Sequence, residues 1–519
     1  MLSITKLHLC QSIFLDANAY KLLMPVRYQY EILLYALTAA ICLFVRHYLL
    51  HQVGLTDYDS IRSWQIVQEI GQGNFKNVFH HASPGFYLFY AAFTPFISGV
   101  YGFIYLNTAF NIGAVLLLIR FMQRHLAIPI PESFLTGLLF GLSVFAVSTG
   151  RNFATESISI FLFILMLERY YQRLIHHDAK AFLQLAALLA ISLTVNYKFL
   201  LLLPIALLLE LLVRDGLLNG KLIIRATLIV AVPFVLFTLL ALAVNLPSYI
   251  YTAAVFNIKS PTVPNPAQRV GYFNFDVLFY LRYIWDFELP LIVPALIVFP
   301  LLYRRELFSH PFSQFNIYRF IFLISYSFML GMHLLLKAPR GLTFIYGLLY
   351  LIFYLVFKKL IPNRTILISV LVLGIGYQYW KLEQAVYAYA GTSYPQVAQY
   401  LKQQGITKIA TTASMGLVPY TNQKQIQVKV VLAAAELLAL KKAGFQYVLL
   451  DDYYKAAHIQ SFNFLENQPI VQAWPEPSLL SPLVYLDHAE FNNLTYIQLI
   501  RNQKKALQNP AQVRLVKIP

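Results

Sequence analysis

The stretch Tyr101–Met122 reads YGFIYLNTAFNIGAVLLLIRFM. Its one ionisable residue, Arg120, sits near the end, and Arg124 follows. A helix of this length crosses a hydrocarbon core of about 30 Å. Tyr30–Leu50, Leu222–Asn245 and Ile317–Leu336 are comparable runs. The whole chain follows suit: of 519 residues 58% are hydrophobic and 12% charged, with a mean hydropathy of +0.59. Soluble domains are roughly a quarter charged. These residues cannot clothe a globule in water, so the chain is predicted to be a polytopic membrane protein. Its first apolar run is too long for a cleaved signal, and Lys21 and Arg27 precede it as they precede an uncleaved anchor.

The formal charge of +17 does not indicate nucleic acid. The basic residues sit in short loops between apolar runs, where they orient spans, and they form no aromatic-interleaved basic face. Cys42 lies within a predicted span, so the two cysteines imply no disulfide framework. The clusters Lys6/Lys21/Arg27, Arg120/Arg124, Arg169/Arg173/Lys180, Arg214/Lys221/Arg225, Arg304/Arg305 and Lys358/Lys359/Arg364 are all expected on the cytoplasmic side. That requirement decides the short, proline-containing segment Pro84–Val100. A full crossing there would move every later cluster outside, so it is read as a juxtamembrane or re-entrant helix. The remaining crossings are Tyr30–Leu50, Tyr101–Met122, Phe134–Gly150, Glu156–Tyr171, Ala181–Asn196, Phe199–Val213, Leu222–Asn245, Leu289–Tyr303, Ile317–Leu336, Gly341–Phe357 and Ile366–Leu382.

The predicted organisation is therefore a cytoplasmic tail over 1–29, with Met24 an alternative start. An all-α bundle of about 11–13 transmembrane helices follows over 30–382, with a first outer loop at 51–101. A small α/β domain over 383–519 lies outside the cytoplasm. In that domain Tyr394–Gln404 and Val431–Ala443 read as helices, and Lys408–Thr412 and Tyr447–Asp451 as strands. It contains no glycine-rich phosphate loop.

In a membrane chain, ionisable groups at span ends are the informative ones. The outer side collects Asp57, Asp59, Arg62, Glu69, His80 and His81 in the first loop, then Arg151 and Glu156, then Lys198. Lys259, Arg269, Asp276, Arg282, Asp286 and Glu288 lie in the long loop, and Lys337 and Arg340 in the last turn. Carboxylates beside cations suit an anionic, lipid-linked substrate: cations hold phosphate and a carboxylate takes a proton. Each residue also has a plainer reading. Asp57 and Asp59 can cap a loop helix beginning near Ser60. Glu156 suits the first turn of its helix. Arg151, Lys198 and Arg340 can snorkel. His80 and His81 lack the spaced partners of a zinc site, so no metal is assigned and acceptor or sugar contact is the functional alternative for them.

Thr56-Asp57-Tyr58-Asp59-Ser60, Gln68-Glu69-Ile70-Gly71-Gln72-Gly73 and His80-His81-Ala82-Ser83-Pro84-Gly85-Phe86-Tyr87 together resemble the first outer loop of the GT-C fold glycosyltransferases, nearest the dolichyl-phosphate-mannose protein mannosyltransferase and aminoarabinose transferase group. That group shows an acidic pair, a helix ending in Gly, and a His-Pro-Pro-like start to the next apolar segment. Gly150-Arg151-Asn152-Phe153-Ala154-Thr155-Glu156 resembles its second motif, Thr194-Val195-Asn196-Tyr197-Lys198 its Thr-Lys turn, and Ala338-Pro339-Arg340-Gly341-Leu342 its late Arg turn. The likeness runs over Tyr28–Leu382. It implies an inverting transfer of a sugar from a polyprenyl-phosphate donor to an acceptor outside the cytoplasmic (inner or plasma) membrane, the acceptor being protein, lipid or glycan. By the same resemblance Lys198, Arg340 and Arg151 hold the phosphate, and no soluble cofactor takes part. The family's acids are adjacent, whereas here they are Asp-x-Asp. The base therefore stays open between Asp57, favoured as the first acid, and Asp59, its orienting partner. A transporter or flippase for an anionic or lipid-linked solute is the alternative, but such proteins carry internal repeats, and none is visible here.

Overall fold

A computed structural model describes residues 29–55, 58–213, 219–254, 276–308, 316–335, 337–422, 425–487 and 494–519. Asp57, Lys259 and Arg269 lie outside the described residues. The protein is a multi-pass membrane bundle carrying a small sheet domain.

The bundle runs through α1 (Gln29–Gln52), α2 (Tyr58–Gly71), α3 (Pro84–Ala91), α4 (Val100–Leu126), α5 (Ile130–Gly141), α6 (Val144–Gly150), α7 (Glu156–His176), α8 (Ala179–Val195), α9 (Leu202–Val213) and α10 (Gly220–Ala243). It continues through α11 (Tyr249–Ala254), α12 (Phe279–Phe287), α13 (Ile292–Leu302), α14 (Arg304–Phe308), α15 (Ile317–Leu334), α16 (Tyr346–Leu360) and α17 (Arg364–Ala385). Every expected crossing is helical. Among the described residues, five helices are long and apolar enough to span, or seven if the bent pairs α5/α6 and α12/α13 each count once. The others are shorter, like α9 and α16, or carry charges, like α7 with Glu168, Arg169 and Arg173. The segment Pro84–Val100 holds no helix long enough to span. Its helix α3 has eight residues, about 12 Å, and α4 begins only at Val100.

The two bent pairs meet at one carboxylate. The chain turns by 62° between α5 and α6 and by 117° between α12 and α13. Glu288, fully buried at the second break, accepts from the Phe145 N–H of α6 (2.9 Å), the Tyr350 hydroxyl (2.7 Å) and the Tyr283 hydroxyl (3.3 Å). Backbone polar groups exposed by a break must be satisfied internally, since lipid offers no partner. Other interior charges are paired too. Arg46 donates twice to Asn111 Oδ1 (3.1 and 2.6 Å) and once to the Cys42 carbonyl (2.9 Å). Arg173 meets Glu210 at 2.8 Å and Arg364 meets Glu132 at 2.9 Å. Helices approach closely where side chains are small: a Cβ on Gly141 would lie 2.6 Å from Cys42 Sγ. The α10 helix, by contrast, is mostly exposed.

The C-terminal domain holds a five-stranded sheet of β1 (Lys408–Thr412), β2 (Gln427–Val431), β3 (Tyr447–Asp451), β4 (Ile470–Pro475) and β5 (Gln512–Lys517), in the order β2-β1-β3-β5-β4. The strands β2, β1 and β3 are parallel, and β5 runs antiparallel to β3 and β4. Both expected strands are present. The expected helix Val431–Ala443 is shorter, Ala435–Lys442. Val431 instead ends β2, whose Val-Lys-Val-Val run suits a strand paired with β1. The domain clasps the bundle. Residue 53 forms a bridge with Gly391, the Tyr101 and Tyr420 hydroxyls lie 3.0 Å apart, and the Tyr496 hydroxyl donates to Asp286 Oδ2 (2.5 Å) while its N–H donates to Asp276 (2.8 Å).

Candidate active site

Asp59 stands in the first turn of α2, where the helix dipole favours an acid. Farther along α2, Arg62 reaches Glu69 (3.1 Å), whose other oxygen accepts from Asn77 Nδ2 (2.6 Å). This internal brace folds the loop back after Gly73, which adopts a φ of +83°. The returning chain brings His80 and His81 to Asp59. Their rings stack at 3.9 Å, and His81 Nδ1 lies 3.9 Å from Asp59 Oδ1.

The turn is held in an unusual conformation. His81 and Ala82 both have positive φ, 50° and 54°, which costs a non-glycine residue roughly 1–3 kcal/mol. Two contacts hold it: the Tyr249 hydroxyl donates to the Ala82 carbonyl (3.1 Å), and Ser83 Oγ donates to the His81 carbonyl (3.1 Å). Immediately beyond, the Gly85 backbone is pressed against Thr194 at the end of α8, so that a Cβ would lie 2.2 Å from its Oγ1.

Arg340 arrives from a 3-10 turn, Pro339–Leu342. Its Nη1 donates to Asp59 Oδ2 at 3.3 Å. Next to it, Gly341 is pressed against α12, leaving 2.1 Å between an added Cβ and the Tyr280 hydroxyl. Partial burial pushes the Asp59 carboxyl up, but His81, Arg340 and His80 together outweigh it and hold the group down at about 2. Burial, then the neighbouring His81 and Arg62, pull His80 down to about 3, so its ring is neutral. Its buried Nε2 has no partner among the described residues.

Lys198 belongs to a second pair, with Nζ 3.8 Å from Glu156 Oε1. Asn196 builds that corner. Its Oδ1 accepts from the Lys198 N–H (3.0 Å), and its Nδ2 donates to Thr155 Oγ1 and Ser159 Oγ (both 3.1 Å). The Lys198 turn also packs on the Arg340 turn, the Phe199 and Phe344 rings being 4.6 Å apart.

The remaining cations behave differently. Arg151 is buried and donates to the carbonyls of Arg46 (3.1 Å) and Tyr48 (2.6 Å), with its guanidinium 5.3 Å from the Tyr387 ring. It therefore holds the end of α1, and none of its contacts involves Asp59 or Lys198. Lys337 is fully buried and donates to the carbonyls of Met332, His333 and Leu335, capping α15. Tyr249 and Tyr280, which touch the Ala82 and Gly341 turns from outside the site, carry no local motif that sequence reading could have used, and Glu288, gathered there with the outer charges, instead serves the bend between α12 and α13. Among the described residues, no three His, Cys, Asp or Glu side chains lie together in a metal-holding group.

No family model matches the sequence, and no curated relative does. Solved structures do match. The oligosaccharyltransferase of Archaeoglobus fulgidus tethered to an acceptor peptide containing the NVT sequon aligns with a TM-score of 0.57 at 10% identity, over 86% of this chain and 73% of that one. Its apo form aligns with a TM-score of 0.57 over 83% and 71%. ArnT from Cupriavidus metallidurans bound to undecaprenyl phosphate aligns with a TM-score of 0.47 at 14% identity, over 90% and 77%. The chain has the GT-C fold of membrane glycosyltransferases. That assignment rests on the oligosaccharyltransferase. At 10% identity it fixes the architecture, and the chemistry of this GT-C protein has to be read from its own residues.

Proposed function

We propose that the protein is an inverting membrane glycosyltransferase that moves a sugar from a polyprenyl-phosphate donor to a hydroxyl acceptor outside the cytoplasm. The observation that carries this reading is the meeting of Asp59 and His81 of the first loop with Arg340, whose turn packs through Phe344 on the turn that carries Lys198 and its partner Glu156. A carboxylate can take a proton and the cations beside it can receive a phosphate, which is the combination such a transfer needs. The GT-C fold and the sequence resemblance support the same class.

In this reading Asp59, the member of the Asp57/Asp59 pair that falls within the described residues, takes the proton of the acceptor hydroxyl as its oxygen bonds to the anomeric carbon. The bond from that carbon to the phosphate oxygen breaks in the same displacement, so the configuration inverts. Polyprenyl phosphate leaves with one more negative charge than it carried as a diester. Arg340 and Lys198 stabilise that developing charge, and a phosphate leaving group needs no general acid. His80 and His81 line the acceptor side. Arg151 is left out of the phosphate clamp, because it is committed to backbone carbonyls.

Membranes containing the protein, given a labelled polyprenyl-phosphate hexose, should transfer the label, and membranes containing Asp59→Asn at equal abundance should not. Equal label transfer by both would overturn the assignment.

A further inference from the structure

Both cations of the proposed clamp already carry a carboxylate: Asp59 on Arg340 and Glu156 on Lys198. These pairs differ from those that bind the bundle together. Arg173–Glu210, with Arg173 fully buried, and Arg124–Glu168, with Arg124 half exposed, both close to 2.8 Å, so distance is what sets them apart. The site pairs stand at 3.3 and 3.8 Å; Asp59, Arg340 and Lys198 remain 31%, 21% and 20% exposed, while Glu156 is buried at 9%. The Asp59–Arg340 pair, long and open to solvent on both sides, contributes little and costs little to separate; the Lys198–Glu156 pair is looser still in distance. Each acid also has a second support that stays when its cation leaves. Asp59 keeps the first turn of α2 and His81, and Glu156 keeps the first turn of α7.

Resting on the glycosyltransferase reading above, we propose that Asp59 and Glu156 are place-holders for the donor's phosphate. The phosphate takes Arg340 and Lys198 from them, and losing Arg340 leaves Asp59 free to act on the acceptor. The clamp is thereby kept in shape while empty. Asp59 in the empty site is a poor base, because Arg340 holds it together with His81, and it becomes a better one once a donor has taken Arg340 away. Donor binding therefore precedes productive acceptor binding. The leaving polyprenyl phosphate, a monoester of higher charge than the diester donor, holds the exchanged state more strongly than the donor does.

The test measures binding of a polyprenyl monophosphate to the full-length protein in nanodiscs. Wild type, Asp59→Asn, Arg340→Ala and the double variant form one cycle. Glu156→Gln with Lys198→Ala forms a second, for use if a member of the first fails to fold. Removing the place-holder should tighten binding about two- to fivefold, the worth of a solvent-exposed ion pair. That gain should vanish when Arg340 is absent, and Asp59→Asn should bind more tightly while losing transfer, a split that a merely structural role would not produce. Unchanged or weaker binding by Asp59→Asn overturns the exchange. So does an equal gain in the Arg340→Ala background, because that is only the removal of a nearby negative charge. If the wild type binds polyprenyl phosphate but shows no such cycle, only the exchange fails. If it binds none, the donor reading fails with it.

Discussion

Arg340 Nη1 lies 3.3 Å from Asp59 Oδ2, joining positions 281 residues apart in the chain. The contact ties the first loop of the bundle to the turn before α16. Any change that moves one side should be felt at the other.

Arg340→Ala and Lys198→Ala should each lower donor efficiency by roughly 10- to 150-fold, corresponding to about 1.5–3 kcal/mol for a charge-assisted hydrogen bond. Both should leave the protein folded, since neither side chain is in the buried core. Initial rates against donor concentration check this. Unchanged donor kinetics in both variants would remove them from the phosphate.

Gly341→Ala should disturb the Arg340 turn without touching its charge. The added methyl would meet the Tyr280 hydroxyl at 2.1 Å, so the turn must shift and with it the hold on Asp59. Donor efficiency should fall by at least about tenfold, as misplacement of a charge-assisted contact implies. Adding Tyr280→Phe removes the nearest atom and should restore part of the loss. No recovery in the double variant would show that the clash is not what matters.

Glu288→Leu should destabilise the bundle strongly. It strands the Phe145 N–H and the Tyr283 and Tyr350 hydroxyls in an apolar interior, each at about 1–3 kcal/mol. Glu288→Gln keeps an acceptor oxygen and should cost much less. Thermal melting in detergent or nanodiscs distinguishes them, and equal melting of the two variants would mean that the network contributes nothing.

The membrane architecture was legible because hydropathy is a local property: each apolar run could be read without knowing its neighbours, and each became a helix. Where the helices break was not legible, since the breaks at Leu142 and Glu288 are stabilised by contacts between distant segments. The strands Lys408–Thr412 and Tyr447–Asp451 could be read from their own apolar runs, whereas β2, β4 and β5 depend on sheet partners. The site residues could be gathered on one side by charge and resemblance. Their pairing could not be derived that way, because Asp59–Arg340 and Glu156–Lys198 are fixed by tertiary contacts such as Gly85 on Thr194 and Phe199 on Phe344. Local sequence likewise gives no sign that Arg151 holds the end of α1.

A topology reporter fused after Leu382 should report the outer compartment and one fused after Lys359 the cytoplasm, as the basic loops require. The same compartment for both would mean that α17 does not cross, and the sheet domain would then share a side with Lys358 and Lys359.

The most direct test of sugar transfer is turnover by the purified protein. A polyprenyl-phosphate hexose of one defined anomer is supplied with a cell-envelope extract as acceptor, and the product is followed by mass spectrometry and NMR. The expected result is a glycoside of the opposite anomeric configuration, formed together with one equivalent of polyprenyl phosphate, at a rate lowered at least about 100-fold by Asp59→Asn. An intact donor after prolonged incubation, or a product that retains the donor's configuration, would contradict it.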